Sequence, residues 1–242
     1  MGSPGQRHKQ RVIALKGVAE AARTGEAVGA LADSLHLQLI ALEQDMGRLK
    51  ALARHADKAA LKRDELMPKY RPYVERYLAD WRETGEHHQN ELFQRLIIWA
   101  FDVGDFDTGI KWADVAIEQG QRTPSNIKRD WAHFVADTVL AWAQEQGAVG
   151  HAVEPWFSQV FDKVRNDWRL NEFATAKWFK TAGVLLLRDQ DGQPRPSAVG
   201  DSITLEQADH WLALAEQYHP KVGVGSLRQK IAMRLRVLNP AQ

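Results

Sequence analysis

Apolar positions recur at helical spacing along almost the whole chain, and no stretch carries a convincing strand pattern. The longest seam runs Val28, Ala32, Leu35, Leu39, Leu42, Met46, Leu49, Ala53, Ala56 and Ala60, in steps of four and three. That spacing predicts a long helix from about Val28 to Lys62, with a heptad seam that suits either a coiled coil or packing against another helix of the same chain. Within it, Leu35, Leu39, Leu42, Met46 and Leu49 are the candidate oligomerisation residues. Pro68 and Pro72 then punctuate the chain and predict a new helix. Thr84 is the expected N-cap of the following element, whose "ELFQRLIIWAFDVG" is apolar on nearly all sides and therefore predicts a buried helix.

Gly104 and Gly120 bracket "DFDTGIKWADVAIEQG" as the partner helix of a hairpin. Further helices are expected over "DWAHFVADTVLAWAQEQG", near 153–168 and over 171–188, followed by a Gly/Pro/Ser-rich loop and a closing helix pair. Small residues at Gly109 and Ala116, and again at Gly183, Ala208 and Ala215 with Pro220 after them, resemble the crossing points of tetratricopeptide-type hairpins. Two degenerate matches fall short of the three stacked units that a repeat array needs, so hairpins within an ordinary core remain the alternative. The expected fold class is all-α: a long N-terminal, coiled-coil-like helical region, then antiparallel helical hairpins. The expected organisation is a basic flexible arm over 1–25, a helical region over 26–82 that carries the oligomerisation seam, and a hairpin domain over 83–242 with its long loop at 189–203.

Composition changes this picture little, but charge placement does. Over 1–76 there are 14 Lys/Arg against 9 Asp/Glu, while the remainder carries 18 against 22. The excess concentrates in two clusters. One is Arg7, His8, Lys9, Arg11 and Lys16; the other is Arg48, Lys50, Arg54, Lys58, Lys62 and Arg63, continued by Lys69, Arg71 and Arg76. Such residues make phosphate contacts that give salt-sensitive affinity and no sequence readout. A solvated helix face is the plainer account of the same residues.

The chain has no cysteine, which excludes disulfides and thiolate chemistry and suits a reducing compartment. No apolar run approaches a membrane span, and the N-terminus lacks a secretory core, so a cytosolic protein without a membrane partner is expected. Phosphate-binding loops of the GxxxxGK[ST] or GxGxxG type are absent, as are GxSxG and HExxH. "GEHHQNE" offers His87 and Glu91 at helical spacing with Glu86 and His88 beside them, and "DVGDFD" offers Asp102, Asp105 and Asp107. Acids at a helix start or turn have plainer explanations, so no metal site is assigned. The nine tryptophans fall beside apolar neighbours and are expected mostly in the core.

Taken together, "SPGQRHKQRV", "LKALARHADKAALKRDELMPKYRPYV", "LIIWAFDVGDFDTGIKWADVAIEQG" and "KTAGVLLLRD" with the closing helix pair resemble the small terminase subunit of cohesive-end-packaging, contractile-tailed temperate phages. The resemblance spans most of the chain and carries over Arg7, His8, Arg11, Lys62, Arg63 and Pro68 as family-like positions without assigning their roles. Related proteins often continue into a Lys/Arg-rich tail where this sequence reads "LRVLNPAQ", which places more weight on the N-terminal cations for the expected DNA affinity. The resemblance implies a role in the host cytoplasm, with double-stranded viral DNA and the large terminase subunit as partners and a homo-oligomer, such as a ring, as the assembly. The family is also labelled the endonuclease subunit of terminase, which leaves open a metal-dependent nuclease. Only that alternative implies a cofactor, Mg²⁺; a helical-repeat adaptor is the third reading.

Overall fold

The computed structural model describes residues 35–239. It is all-α, and among the described residues the β-type pairing is a single bridge between Arg188 and Pro194. In chain order the helices are α1 (Leu35–Ala51), α2 (His55–Leu61), a π-helical turn (Lys62–Leu66), α3 (Met67–Thr84), α4 (Glu91–Asp102) and α5 (Phe106–Glu118). They continue with α6 (Trp131–Ala148), α7 (Trp156–Asn166), α8 (Glu172–Leu186), a 3-10 turn (Pro196–Ala198), α9 (Ser202–Tyr218) and α10 (Gly225–Leu238). The chain forms two compact units. The first holds the described part of Met1–Gly109 with Glu118–Pro124, and the second holds Ile110–Ile117 with the described part of Ser125–Gln242.

In the first unit the expected single helix to Lys62 is interrupted. Ala51 ends α1, and Arg54 takes an extended backbone (φ −90°, ψ 137°) before α2 begins. No glycine or proline forces this break; tertiary contacts do. Arg48 and Glu65 are ion-paired although 17 residues apart, and Asp45 accepts a hydrogen bond from Tyr70, 25 residues on. On a straight helix those pairs would lie roughly 25 and 38 Å apart at 1.5 Å per residue. The contacts require α1 to fold back, and they override local helix propensity at the bend. Pro68 is the second residue of α3, but Leu66 and Met67 before it are already helical, so Pro68 and Pro72 both lie within one continuous helical run.

One face of α3, formed by Met67, Tyr70, Val74 and Leu78, is buried, and α4 is buried nearly all round, from Leu92 and Phe93 to Phe101. The N-cap of α4 is Asn90, whose side chain accepts from the Phe93 amide, not Thr84 as expected. Thr84 instead ends α3: its hydroxyl donates to the Asp80 carbonyl, and Gly85 turns the chain at φ 73°. A left-handed conformation there suits glycine and stops the helix before the next cap can act. The intervening segment is tied down by buried amides. Tyr77 donates to Gln119, while the Gln121 amide donates to Tyr77 and to the His88 carbonyl.

In the second unit, Trp112, Ala113 and Ala116 of α5 are buried, as are Val135, Val139 and Ala143 of α6. Phe157, Phe161 and Trp178 stack between α7 and α8, with ring centroids 5.1 Å (Phe157–Trp178) and 6.2 Å (Phe161–Trp178) apart. The α8–α9 hairpin crosses at the anticipated small residues: a Cβ on Gly183 would lie 2.7 Å from Leu212 and 3.0 Å from the Ala208 carbonyl. Gly109 approaches the Phe101 ring in the same manner in the first unit, at 2.9 Å. Each close approach is a property of its own hairpin, and likeness to a tetratricopeptide scaffold is not established by them. Of the tryptophans, Trp99, Trp112, Trp131 and Trp178 are buried and the others half-buried.

These contacts predict opposite outcomes for two helical glycines. Gly183→Ala overpacks the α8–α9 crossing and lowers stability by about 1–3 kcal/mol. Gly47→Ala in α1 meets nothing within 4 Å and stabilises by up to about 1 kcal/mol. Urea denaturation midpoints of the two variants read both effects.

Candidate nucleic-acid interface

Arg7, His8, Lys9, Arg11 and Lys16 lie outside the described residues, so the second basic cluster is the one with geometry. Its members divide by what faces them. The carboxylate of Asp45, 4% exposed, accepts from Arg48 (2.9 Å), from Lys69 (2.7 Å) and from the Tyr70 hydroxyl (2.8 Å). Arg48 also forks onto Glu65, its second guanidinium nitrogen at 2.8 Å and the first at shorter range. Lys62 donates to Asp102 of α4 at 2.6 Å, and its side chain is only 15% exposed. Arg63 lies against its neighbour Asp64, and Arg71 reaches Asp105 and Thr108.

The titration behaviour follows from these contacts. Burial alone would raise the Asp45 carboxyl, but the hydrogen bonds from Lys69, Tyr70 and Arg48 outweigh it and hold the group below the usual carboxylate range. Burial, reinforced by the bond to Asp45, pushes the Tyr70 phenol up. Hydrogen bonding to Glu65 and then to Asp45 raises the Arg48 guanidinium further. Arg48 and Lys69 thus pin α1 to the π-helical turn and α3, and Lys62 pins that turn to α4.

Arg76 is also engaged, which leaves Lys50 at the end of α1, Arg54 in the bend and Lys58 on α2. Among the described residues these have no carboxylate at ion-pair distance; Lys50 and Arg54 are exposed and Lys58 is half-buried. Arg54 immediately precedes α2 and Lys58 lies in its first turns, so both are close to the bend. Between Asp45 and Arg76 the sequence holds five acids among its nine Lys/Arg, and counting cations alone missed that Asp45, Asp64 and Glu65 neutralise part of the cluster. The signal was partly present, since Asp45 and Arg48 have the i,i+3 spacing of a helical ion pair. Glu65 carried none, because its partner depends on the fold-back.

The seam residues also divide. Leu42 and Leu49 are buried in the first unit's own core, together with Gln38 and Asp45. Leu35, Leu39 and Met46 are half-buried, while Leu37 and Ile40 are exposed. Leu39, Ile40, Leu42 and Met46 form the apolar wall of a groove of about 420 Å³, with Lys50 and Arg95 at its edge.

His87 and Glu91 do not share a helix face, because residues 85–90 are non-helical and α4 starts only at Glu91. Asp102 and Asp105 are engaged with Lys62 and Arg71. Among the described residues no three His, Asp or Glu side chains gather closely enough to hold a metal ion, and no helix is long and apolar enough to cross a membrane.

Against known proteins, residues 39–173 match the family described as phage small terminase subunit. The chain is 35% identical over 233 residues to the probable terminase, endonuclease subunit, of Haemophilus phage HP1 (strain HP1c1), covering 96% of this chain and 82% of that protein. It is 30% identical over 154 residues to the terminase, endonuclease subunit, of Escherichia phage P2, covering 64% of this chain and 59% of that protein. No solved structure is significantly similar to the chain.

The Asp45 contacts carry a pH dependence of defined sign. With its folded value depressed, Asp45 contributes stability that is fully present above the ordinary carboxylate value of 3.8 and is lost as pH falls through the lower folded value. Asp45→Asn is expected to cost about 2 kcal/mol at neutral pH. Thermal melts across the acid range then show a shallower pH dependence for the variant than for the parent protein.

Proposed function

The chain belongs to the phage small terminase subunit family, and we propose that it binds double-stranded viral DNA and recruits or regulates the large ATPase/nuclease subunit during genome packaging in the host cytoplasm. The observation that favours DNA contact is the contrast within the basic cluster. Arg48, Lys62 and Lys69 are committed to carboxylates that hold the fold, whereas Lys50, Arg54 and Lys58 are left uncompensated around one bend. Cations without an internal partner can replace the counterions of a phosphate backbone, which gives affinity that falls with salt. In this reading the N-terminal cations Arg7, His8, Lys9, Arg11 and Lys16 add to the same contact. The half-buried seam residues Leu35, Leu39 and Met46 serve contacts between copies of the chain.

A second reading, a metal-dependent endonuclease, is favoured by the names of the relatives, both called endonuclease subunit. We prefer the non-catalytic reading because His87 and Glu91 are not on one face and because Asp102 and Asp105 are engaged in ion pairs.

Two measurements test these readings. In a gel shift with packaging-site DNA, Lys50→Ala/Arg54→Ala/Lys58→Ala weakens binding and reduces the slope of log affinity against log salt by up to about three units. Unchanged affinity and slope reject this assignment. Incubating the purified protein with the same DNA and Mg²⁺ or Mn²⁺ is expected to leave the DNA intact; cleavage that Glu91→Ala abolishes would establish the nuclease instead.

A further inference from the structure

The closing helix α10 has two apolar sides, and only one of them serves the core. Ile231 is fully buried, with Leu227, Leu235 and Leu238 packed beside it against Leu187, Leu205, Ala208, Leu212 and Val224. At 100° per residue, Met233 and Val237 fall on the opposite side of the helix. They are 64% and 68% exposed, among the most open large apolar side chains of the described residues. With Pro194 and Pro196 of the preceding loop they line a groove of about 420 Å³.

The rim of that groove is of one sign. The sequence of α10 contains Arg228, Lys230, Arg234 and Arg236 and no acid. Arg228 is neutralised by Asp209 and Glu216. Arg234 donates its Nε to the Val199 carbonyl, an uncharged partner that leaves its charge uncompensated. Lys230 and Arg236 have no carboxylate at ion-pair distance among the described residues. Arg195, on the loop side, lies 3.1 Å from Asp189 but keeps 59% of its side chain exposed.

We propose that this groove is a docking site for an acidic amphipathic helix of a protein partner. Such a helix presents apolar residues at i, i+3/i+4 and i+7 to the Met233–Val237–Pro196 floor and carboxylates to the Lys230, Arg234 and Arg195 rim. A phosphate backbone would engage the rim but has nothing to bury on the floor. The chain's own N-terminal segment, basic over Arg7 to Lys16, has the wrong sign for the rim. The inference goes beyond DNA binding and assigns a surface and a partner chemistry to the second unit.

The probe is a fluorescent peptide of roughly 18 residues, about five helical turns, built of Leu and Glu with the leucines on one face. A peptide of identical composition but scrambled order and a short DNA duplex are the comparators, with anisotropy as the readout on the full chain. The patterned peptide is expected to bind at least about tenfold tighter than the scrambled one, and Met233→Glu/Val237→Glu to remove that advantage. Lys230→Glu weakens the patterned peptide and leaves the thermal melt unchanged. Because Met233 and Val237 are exposed, an unchanged melt for the double variant separates lost docking from lost folding. The proposal is overturned if the two peptides bind alike, if neither binds, or if the double variant retains the patterned peptide. Loss of duplex binding in Lys230→Ala, with no peptide binding, reassigns the face to nucleic acid. The peptide arms contain no DNA and no other subunit, so their failure is separable from failure of the packaging reading.

Discussion

A buried carboxylate with three donors governs the first unit. Asp45 is almost inaccessible, and a charge so placed is tolerable only because Arg48, Lys69 and Tyr70 surround it. Those donors come from two stretches of sequence some 20 residues apart, so satisfying the carboxylate requires α1 to turn back on the segment that follows it. The bend at Leu52–Arg54 and the commitment of Arg48 and Lys69 accord with that requirement. Arg48 and Lys69 become structural, Lys62 is paired separately with Asp102, and Arg54 at the bend is left exposed.

This division of labour separates charge that holds the protein together from charge available to a polyanion. A positive sequence segment is not automatically a positive surface. Beside its apolar core on α3 and α4, the first unit has ion pairs at its helix junctions and a network of buried amides around Tyr77, Gln119 and Gln121. The second unit relies instead on aromatic stacking between α7 and α8 and on glycine at the α8–α9 crossing, which lets two backbones approach to a distance that any side chain would forbid. On α10, Lys230 and Arg234 lack a carboxylate partner and border an apolar floor, and so present a different kind of surface from the bend in the first unit.

Helical periodicity, the small residues at hairpin crossings and the ordered set of family-like stretches were all legible in the chain, and with them the all-α class and the family. Local signals sufficed because each depends on neighbours within a few residues: a 3.6-residue repeat, a glycine ending α4, a buried stripe on α3. Cap assignment was less secure. Thr84 and Asn90 are both good caps on paper, and the left-handed turn at Gly85 decided between them.

The sequence by itself therefore determined the secondary structure in outline, the hairpins and the kinship. Only the structure decided which leucines of the heptad seam are core, which cations are neutralised, and that His87 and Glu91 do not share a helix face. The physical reason is range. Periodicity and capping act within one or two helical turns, whereas the partner of Arg48 lies 17 residues away and that of Lys62 lies 40 away. Such pairs exist only after the chain has folded back on itself, and no spacing rule along the sequence contains them.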